Sequence, residues 1–187
     1  MNHHYLAIVG EMVLRPLGSR DIESLRCWRN DNNNAKFLRP LPFITEEMQL
    51  QWFESYIKNQ NEIAFAIDFQ KELIGSVSIY GFTDCCFEYG KLMIGNGNQR
   101  GKGLGYQSVA TAVHIGFITS MVERCICTVH ESNVPGISIE NRIGFKEHGI
   151  HDFVSGGHEL EMQVSRNNFY TKNSWVRNIV VEVMKGE

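Results

Sequence analysis

Hydrophobic positions follow two different periods along this chain, and the changes between them mark its elements. Met12–Pro16 is a short apolar stretch ending on proline and reads as a first strand. Ser19 stands where an N-cap belongs, with Asp21 and Glu23 behind it. Ile22, Leu25 and Trp28 then recur at helical spacing. Asn30–Asn34 interrupts that pattern. Thr45, followed by Glu46 and Glu47, opens a second helix whose inner face uses Met48, Trp52, Phe53, Tyr56 and Ile57. From there the period shortens. Ile63–Phe69, Leu73–Tyr80 and Phe87–Ile94 read as three strands, the first two joined by the polar Gln70–Glu72. A long helix from Gly105 to about Ser120 precedes a strand over Arg124–Val129. A shorter helix over about Pro135–Arg142 and a strand pair, Phe145–Phe153 and Glu159–Ser165, complete the series.

That order predicts a mixed α/β fold. With no repeat, low-complexity block or linker, it also predicts a single domain over 1–187 with its core at about 12–165. Trp175, Val176, Ile179, Val180, Val183 and Met184 fall on one side of a C-terminal helix within 170–187. Such a stripe needs a partner, either its own domain or a second copy, so a homodimer is one expectation.

Composition narrows the function classes. The 187 residues are 43% hydrophobic and 21% charged with a formal net charge of −3, which suits a globular domain and argues against nucleic acid as a partner. No basic segment leads into an apolar run at the start, and no run approaches the roughly 18 residues of a membrane span, so a cytoplasmic location without membrane contact is expected. The five cysteines, Cys27, Cys85, Cys86, Cys125 and Cys127, contain no CxxC pair. They are expected to be ordinary thiols in a reducing compartment, with no metal site. Cys125 and Cys127 should share one face of their strand.

The most informative stretch is Gly95-Asn96-Gly97-Asn98-Gln99-Arg100-Gly101-Lys102-Gly103-Leu104-Gly105, between an apolar strand and the long helix. Glycines let successive N–H groups converge, and the helix start adds its positive end, so the stretch suits phosphate oxygens. It is not a Walker loop, because Lys102 is not followed by Ser or Thr. Nor is it a Rossmann loop, because Tyr106 stands where a third glycine is needed.

Arg100, Gly103 and Gly105 fill the Q/R-x-x-G-x-G/A pattern, and here the chain resembles the GNAT acetyltransferases. Glu88-Tyr89-Gly90 ahead of Met93-Ile94 resembles the family's fourth strand, and Asn133 followed by Gly144-Phe145 resembles its closing motif. Leu14-Arg15-Pro16-Leu17 fits its opening. The resemblance implies the GNAT acyl-CoA N-acyltransferase fold with a splayed central sheet, acetyl-CoA as co-substrate, and a small-molecule amine as acceptor. It places the pyrophosphate on Arg100, Gly101, Lys102, Gly103, Leu104 and Gly105. The pantetheine would lie along Leu92, Met93 and Ile94, with Asn133 reaching it from the far side.

Amine attack on a thioester needs a neutral amine, hence a base or a water path. The resemblance offers Glu88 first, at the strand end that borders the thioester, and His130 second, across the cleft. Where many relatives carry a tyrosine acid, this chain has Glu140; either Glu140 replaces it or the thiolate leaves without an acid. The acceptor pocket is expected to use Trp28, Arg29, Asn30, Phe37, Arg39 and Tyr80. Trp28-Arg29-Asn30-Asp31, Ile44-Thr45-Glu46-Glu47 and Trp52-Phe53 resemble the branch that modifies amino sugars and sugar nucleotides, including acetylation of the 4-amine of a UDP-linked sugar in pseudaminic acid synthesis. Trp28 as core packing and Arg29 paired with Asp21 or Asp31 is the competing expectation. Two further classes stay open: a protein N-terminal acetyltransferase of the ribosomal-protein type, and a non-catalytic acyl-CoA sensor.

Overall fold

A computed structural model of the protein describes residues 3–154 and 156–184. In chain order it runs β1 (Tyr5–Val9), β2 (Met12–Pro16), α1 (Ile22–Asn30), α2 (Asn32–Ala35), α3 (Glu46–Lys58), β3 (Glu62–Phe69), β4 (Glu72–Tyr80) and β5 (Cys86–Ile94). There follow α4 (Leu104–Thr119), β6 (Arg124–His130), α5 (Val134–Ile143), β7 (Lys146–Asp152), β8 (His158–Ser165), α6 (Arg166–Lys172) and β9 (Val181–Val183). Short 3-10 helices cover Gly97–Gln99 and Ser174–Asn178. Among the described residues one mixed sheet carries all the strands, ordered β7-β8-β6-β5-β4-β3-β2-β1-β9.

The sheet is antiparallel except where β5 meets β6. Alternation along the strands divides its two faces. Phe65, Ile67, Val77, Ile79, Phe87, Cys125 and Cys127 turn to the side of α4 and α5 and build the larger core. Helix α4 is buried on nearly every side, from Leu104 to Phe117, because the sheet, α5 and the C-terminal segment all close on it. The other face is covered only in part. Ala64, Ala66 and Met93 pack there with Leu17, Leu25 and Tyr56 of the α1–α3 layer. Beyond β5 that face lies open, with Arg124 and Thr128 exposed on β6.

Several sequence expectations are corrected. Helix α1 starts at Ile22, and Asp21 rather than Ser19 takes the N-cap position. Asp21 makes no cap bond; its carboxylate accepts from Arg15 (2.7 and 2.8 Å) and from the Gly18 amide (2.9 Å), and it is only 2% exposed. Helix α3 turns Gln49, Phe53 and Tyr56 inward, while Met48, Trp52 and Ile57 remain exposed. The C-terminal helix expected over 170–187 is not formed. α6 ends at Lys172, a 3-10 turn follows, and Val181–Val183 adds a strand to the edge of β1. Trp175 and Val176 find their partners within the chain, since Val176 is fully buried and Trp175 Nε1 donates to Tyr106 Oη (3.0 Å), whereas Val180 and Val183 stay exposed.

Candidate functional site

The site begins with a fork in the sheet. β5 and β6 pair in parallel only at Cys86–Arg124, Phe87–Cys125 and Glu88–Ile126, and then diverge. From Tyr89 to Ile94 the β6-facing edge of β5 therefore has no neighbouring strand to bond among the described residues. Such an edge can take an extended ligand as an added strand. On its other edge β5 carries a bulge, since the register to β4 shifts between Ser76–Met93 and Ser78–Gly90. Two residues, Lys91 and Leu92, oppose the single Val77, with Lys91 at a φ of 54°. The bulge bends the strand at the place where Leu92, Met93 and Ile94 begin.

At the end of β5 the chain enters the glycine-rich loop. Gly101 and Gly103 have φ of 76° and 79°, a region that glycine alone enters without cost, and no atom lies within 4 Å of where their Cβ would stand. The first internal bond of α4 runs from the Gln107 amide to Gly103 O (3.1 Å), so the amides of Leu104, Gly105 and Tyr106 come before it and stay open to an anion. Gly105 lets α5 approach closely, since a Cβ there would stand 3.1 Å from Ile139 Cδ1 and that side chain would have to give way. Arg100 turns back to Ile94 O (3.0 and 2.8 Å) and to Asn34, holding the loop against the strand end, while Lys102 Nζ donates to Gln99 Oε1 (2.8 Å) at the surface. Asn133 caps α5, accepting from the Gly136 amide (3.1 Å) through Oδ1, which leaves its Nδ2 for a ligand. These residues fit an acyl-CoA: an amide cradle for the pyrophosphate and an open strand edge for the arm.

Glu88 is the last paired residue before the fork. It lies in register with Tyr80 on β4, which in turn lies opposite Glu62 on β3, so all three share one face. Tyr80 Oη donates to Glu88 Oε1 (2.7 Å), and Lys91 Nζ reaches Glu62 Oε1 (2.6 Å) above the Tyr80 ring. Gly90 makes this possible, since a Cβ there would come within 2.5 Å of Tyr80 Oη. Burial and then the bond to Glu88 push the Tyr80 phenol well above its ordinary value, so it stays a donor.

Glu140 sits beneath the fork on the opposite face, 4% exposed. It bonds Tyr89, the residue after the last β5 pair, and lies beside Cys127, the residue after the last β6 pair. Burial pushes its carboxyl up to about 7, against the bond from Tyr89. His130 is four residues farther along β6 than Ile126, about 13 Å of strand from the Glu88 rung. Its Nδ1 is within 2.8 Å of Ser132 Oγ and its Nε2 within 3.4 Å of Gly156 O, while its ring packs on Phe153 and Phe37. His130 is thus held as a wall residue, away from Glu88.

The proposed acceptor residues divide. The Trp28 indole lies on Gly95, where a Cβ would fall 1.9 Å from ring atom Cδ2, so it packs at the strand end. Asn30 spends its amide on Ile44, donating to O (2.9 Å) and accepting from N (2.9 Å). Arg29 donates to the Arg39 carbonyl (2.5 Å), and burial lowers its guanidinium from the ordinary value. Arg29 therefore does not make the pair with Asp21 or Asp31 that is the competing expectation. Instead Asn30 and Arg29 both clamp the segment after α2, which folds over a cavity of about 460 Å³ between Arg29 and Ile44. That cavity touches neither Glu88 nor the loop. Phe37 and Arg39 leave the clamp for the open face, Phe37 toward His130 and Arg39 to Glu159 (3.3 Å). Glu159, Glu161, Tyr89 and Lys91 are site neighbours that linear reading missed. Only Gly90, a glycine within a strand, hinted at a close approach there.

Among the described residues no group of three or more His, Cys, Asp or Glu side chains is placed to hold a metal, and no helix is long and apolar enough to cross a membrane. The family model for an acetyltransferase (GNAT) domain matches residues 11–146. Among solved structures, the spermidine N-acetyltransferase of Vibrio cholerae in complex with CoA and spermine is similar with a TM-score of 0.78. It is 19% identical and the match covers 86% of this chain and 99% of that one. RimJ of Mycobacterium smegmatis in complex with CoA-disulfide gives 0.72 at 14% identity over 94% and 95% of the two chains. The aminoglycoside acetyltransferase AAC(6')-Ib in complex with coenzyme A gives 0.70 at 22% identity over 86% and 98%.

Proposed function

The chain belongs to the GNAT acetyltransferase family, and from that premise we propose that it acetylates the primary amine of an amino sugar, with Glu88 as the base. It is an acetyl-CoA-dependent N-acetyltransferase; the acceptor and the residue roles are the proposed part. The observation that carries the reading is the fork, where an open β5 edge runs from Glu88 to an amide cradle at Gly103–Gly105.

Acetyl-CoA supplies an activated acetyl thioester. The amides of residues 101–105 hold its pyrophosphate, and the edge of Leu92–Ile94 orients the arm, with Asn133 Nδ2 opposite. Glu88, kept in place by Tyr80 Oη, takes a proton from the acceptor ammonium directly or through a water. Glu140, buried below the fork with its proton held to about pH 7, is the proposed acid for the leaving sulfur. His130, Phe37 and Arg39 shape the acceptor side.

The carboxylates favour a cationic amino sugar over its nucleotide-linked form. Glu88 and Glu161 share the open face, Glu161 beside His151 (3.0 Å), whereas Arg39 and Glu159 engage each other and Arg29 is taken by the Arg39 carbonyl. Neither Arg29 nor Arg39 thus offers the free guanidinium fork that suits a diphosphate. We propose further that the chain works as a single catalytic domain in the cytoplasm, which suits five free thiols, and that copies pair through the edge strand β9.

The test is acetyl-CoA-dependent release of free thiol with a cationic amino sugar, a UDP-4-amino sugar and a short N-terminal peptide. Turnover with the cationic sugar is expected. Turnover with the peptide alone would move the chain to the protein-modifying class, and cofactor binding without turnover on any amine would favour the sensor. Glu88→Gln should lower turnover by about 10²-fold or more while acetyl-CoA affinity stays within about twofold. Near-normal turnover would remove Glu88 as the base.

A further inference from the structure

Cys85 and Cys86 stand side by side where β5 begins, outside the machinery described above. Neighbouring residues of a strand point to opposite faces, so their thiols should diverge. They converge instead: the two Sγ atoms are 3.8 Å apart. The cause is a tight turn organised by Thr83. Its amide donates to Cys86 O (2.9 Å), its hydroxyl donates to the same oxygen (3.0 Å), and that hydroxyl accepts from the amides of Cys85 (3.3 Å) and Cys86 (3.1 Å). The turn folds Cys85 back over Cys86. Thr83 Oγ1 is then 3.5 Å from each sulfur. Cys85 is exposed and Cys86 partly so, and the pair is open to solvent at the strand end.

Two properties separate this pair from the other cysteines. Hydrogen bonds from Thr83 and Cys86, with Arg124 close by, hold the Cys85 thiol below its ordinary value, whereas burial drives Cys125 and Cys127 far above theirs. The pair also resists closing on itself. Adjacent Cα atoms are about 3.8 Å apart across a trans peptide, and a relaxed disulfide wants roughly 4.4–6.8 Å. A larger atom placed between the sulfurs removes that strain.

From this geometry we propose that Cys85 and Cys86 form a two-thiol chelating site for a soft, thiophilic ion, with trivalent arsenic as its best ligand. Thiolate pairs select soft centres, and no oxidation state changes on binding. With an organic arsenoxide, two As–S bonds form, two thiol protons leave and the arsenic oxygen departs as water. Cys86 shares its sheet face with Glu88 and lies two residues, about 7 Å, along β5, so a bound metalloid occupies the acceptor side of the sheet.

Phenylarsine oxide, mixed with the reduced and desalted full chain under native conditions, tests the site by intact mass and by titration of the remaining thiols. A single adduct is expected that consumes two thiols, survives a monothiol and is stripped by a vicinal dithiol. Cys85→Ser and Cys86→Ser should each abolish it, and Cys27→Ser should retain it. Circular dichroism of each variant separates loss of the site from loss of the fold. Retention of the dithiol-sensitive adduct in either folded single variant at positions 85 or 86, or its absence from the unsubstituted chain, overturns the proposal.

Discussion

At the scale of single residues, this protein tolerates charge in its interior only where a partner shares the cost. Arg15 shows the satisfied case, forked between Asp21 (2.7 Å) and Asp68 (2.7 Å) with 13% of its side chain exposed. Glu140 shows the other. One oxygen bonds Tyr89, and its Oε2 finds no partner among the described residues. A buried carboxyl in that position keeps its proton, which has a measurable consequence. Its ordinary value is 4.5 and its folded value about 7, so the folded chain holds a proton that the unfolded chain has released between those limits. The associated stability is complete below about pH 4.5 and declines as pH rises to about 7, by on the order of 3 kcal/mol. Glu140→Gln should flatten that decline and leave the variant the more stable of the two at about pH 8. Urea unfolding at about pH 5 and about pH 8 checks it, and parallel losses in both proteins would show that Glu140 is not the group responsible.

At the scale of elements, the site is made by departures from regularity. A parallel pair stops after Glu88–Ile126, a bulge at Lys91 turns β5, and two left-handed glycines aim the start of α4 at the same gap. Each departure leaves backbone groups free where an anionic, extended ligand can use them. Replacement of Gly103 separates conformation from charge. Gly103→Ala adds a left-handed side chain in open space at a cost of about 1 kcal/mol, and should keep measurable acetyl-CoA binding. Gly103→Glu adds the same strain plus a carboxylate beside the phosphate cradle, and should weaken binding by at least about 10²-fold. Isothermal titration with both folded variants decides the matter; affinity retained by the glutamate variant would move the cofactor off this loop.

At the scale of the whole molecule, the two ends of the sheet differ in how they are finished. β7 closes one end with charged and polar residues such as Lys146, Glu147 and His148. β9 closes the other with a short strand whose Val183 is 67% exposed, next to Val180 at 64% and Ile8 at 49%. An apolar free edge invites pairing with an identical edge, and a C2 pair would continue the sheet from one copy to the next. Light scattering should therefore give about twice the chain mass, and Val183→Lys should return it to that of one chain without loss of helical or strand signal. A single-chain mass before substitution would dismiss the pairing.

What could be read along the chain were the quantities that depend on near neighbours. Strand and helix positions from Ile63 to Ser165 follow from side-chain period and agree with the fold to within a residue or so. The Arg100–Gly105 loop was legible because glycine and a helix start carry their backbone chemistry with them. Reading failed where a distant group competes for the same side chain. Asp21 stands at the N-cap in place of the expected Ser19 yet bonds Arg15, and Asn30 and Arg29 were taken by Ile44 O and Arg39 O before any ligand could claim them. The C-terminal stripe suits a helix by spacing, yet the edge of β1 offered hydrogen bonds that no isolated helix face supplies, and the segment became a strand. Sequence alone thus determined the family, the order of most elements and the glycine turn that opens α4, all set by local chemistry. Tertiary structure decided which carboxylate faces the fork, which cations are already engaged and where two adjacent thiols meet, because each depends on residues far apart in the chain competing for one place.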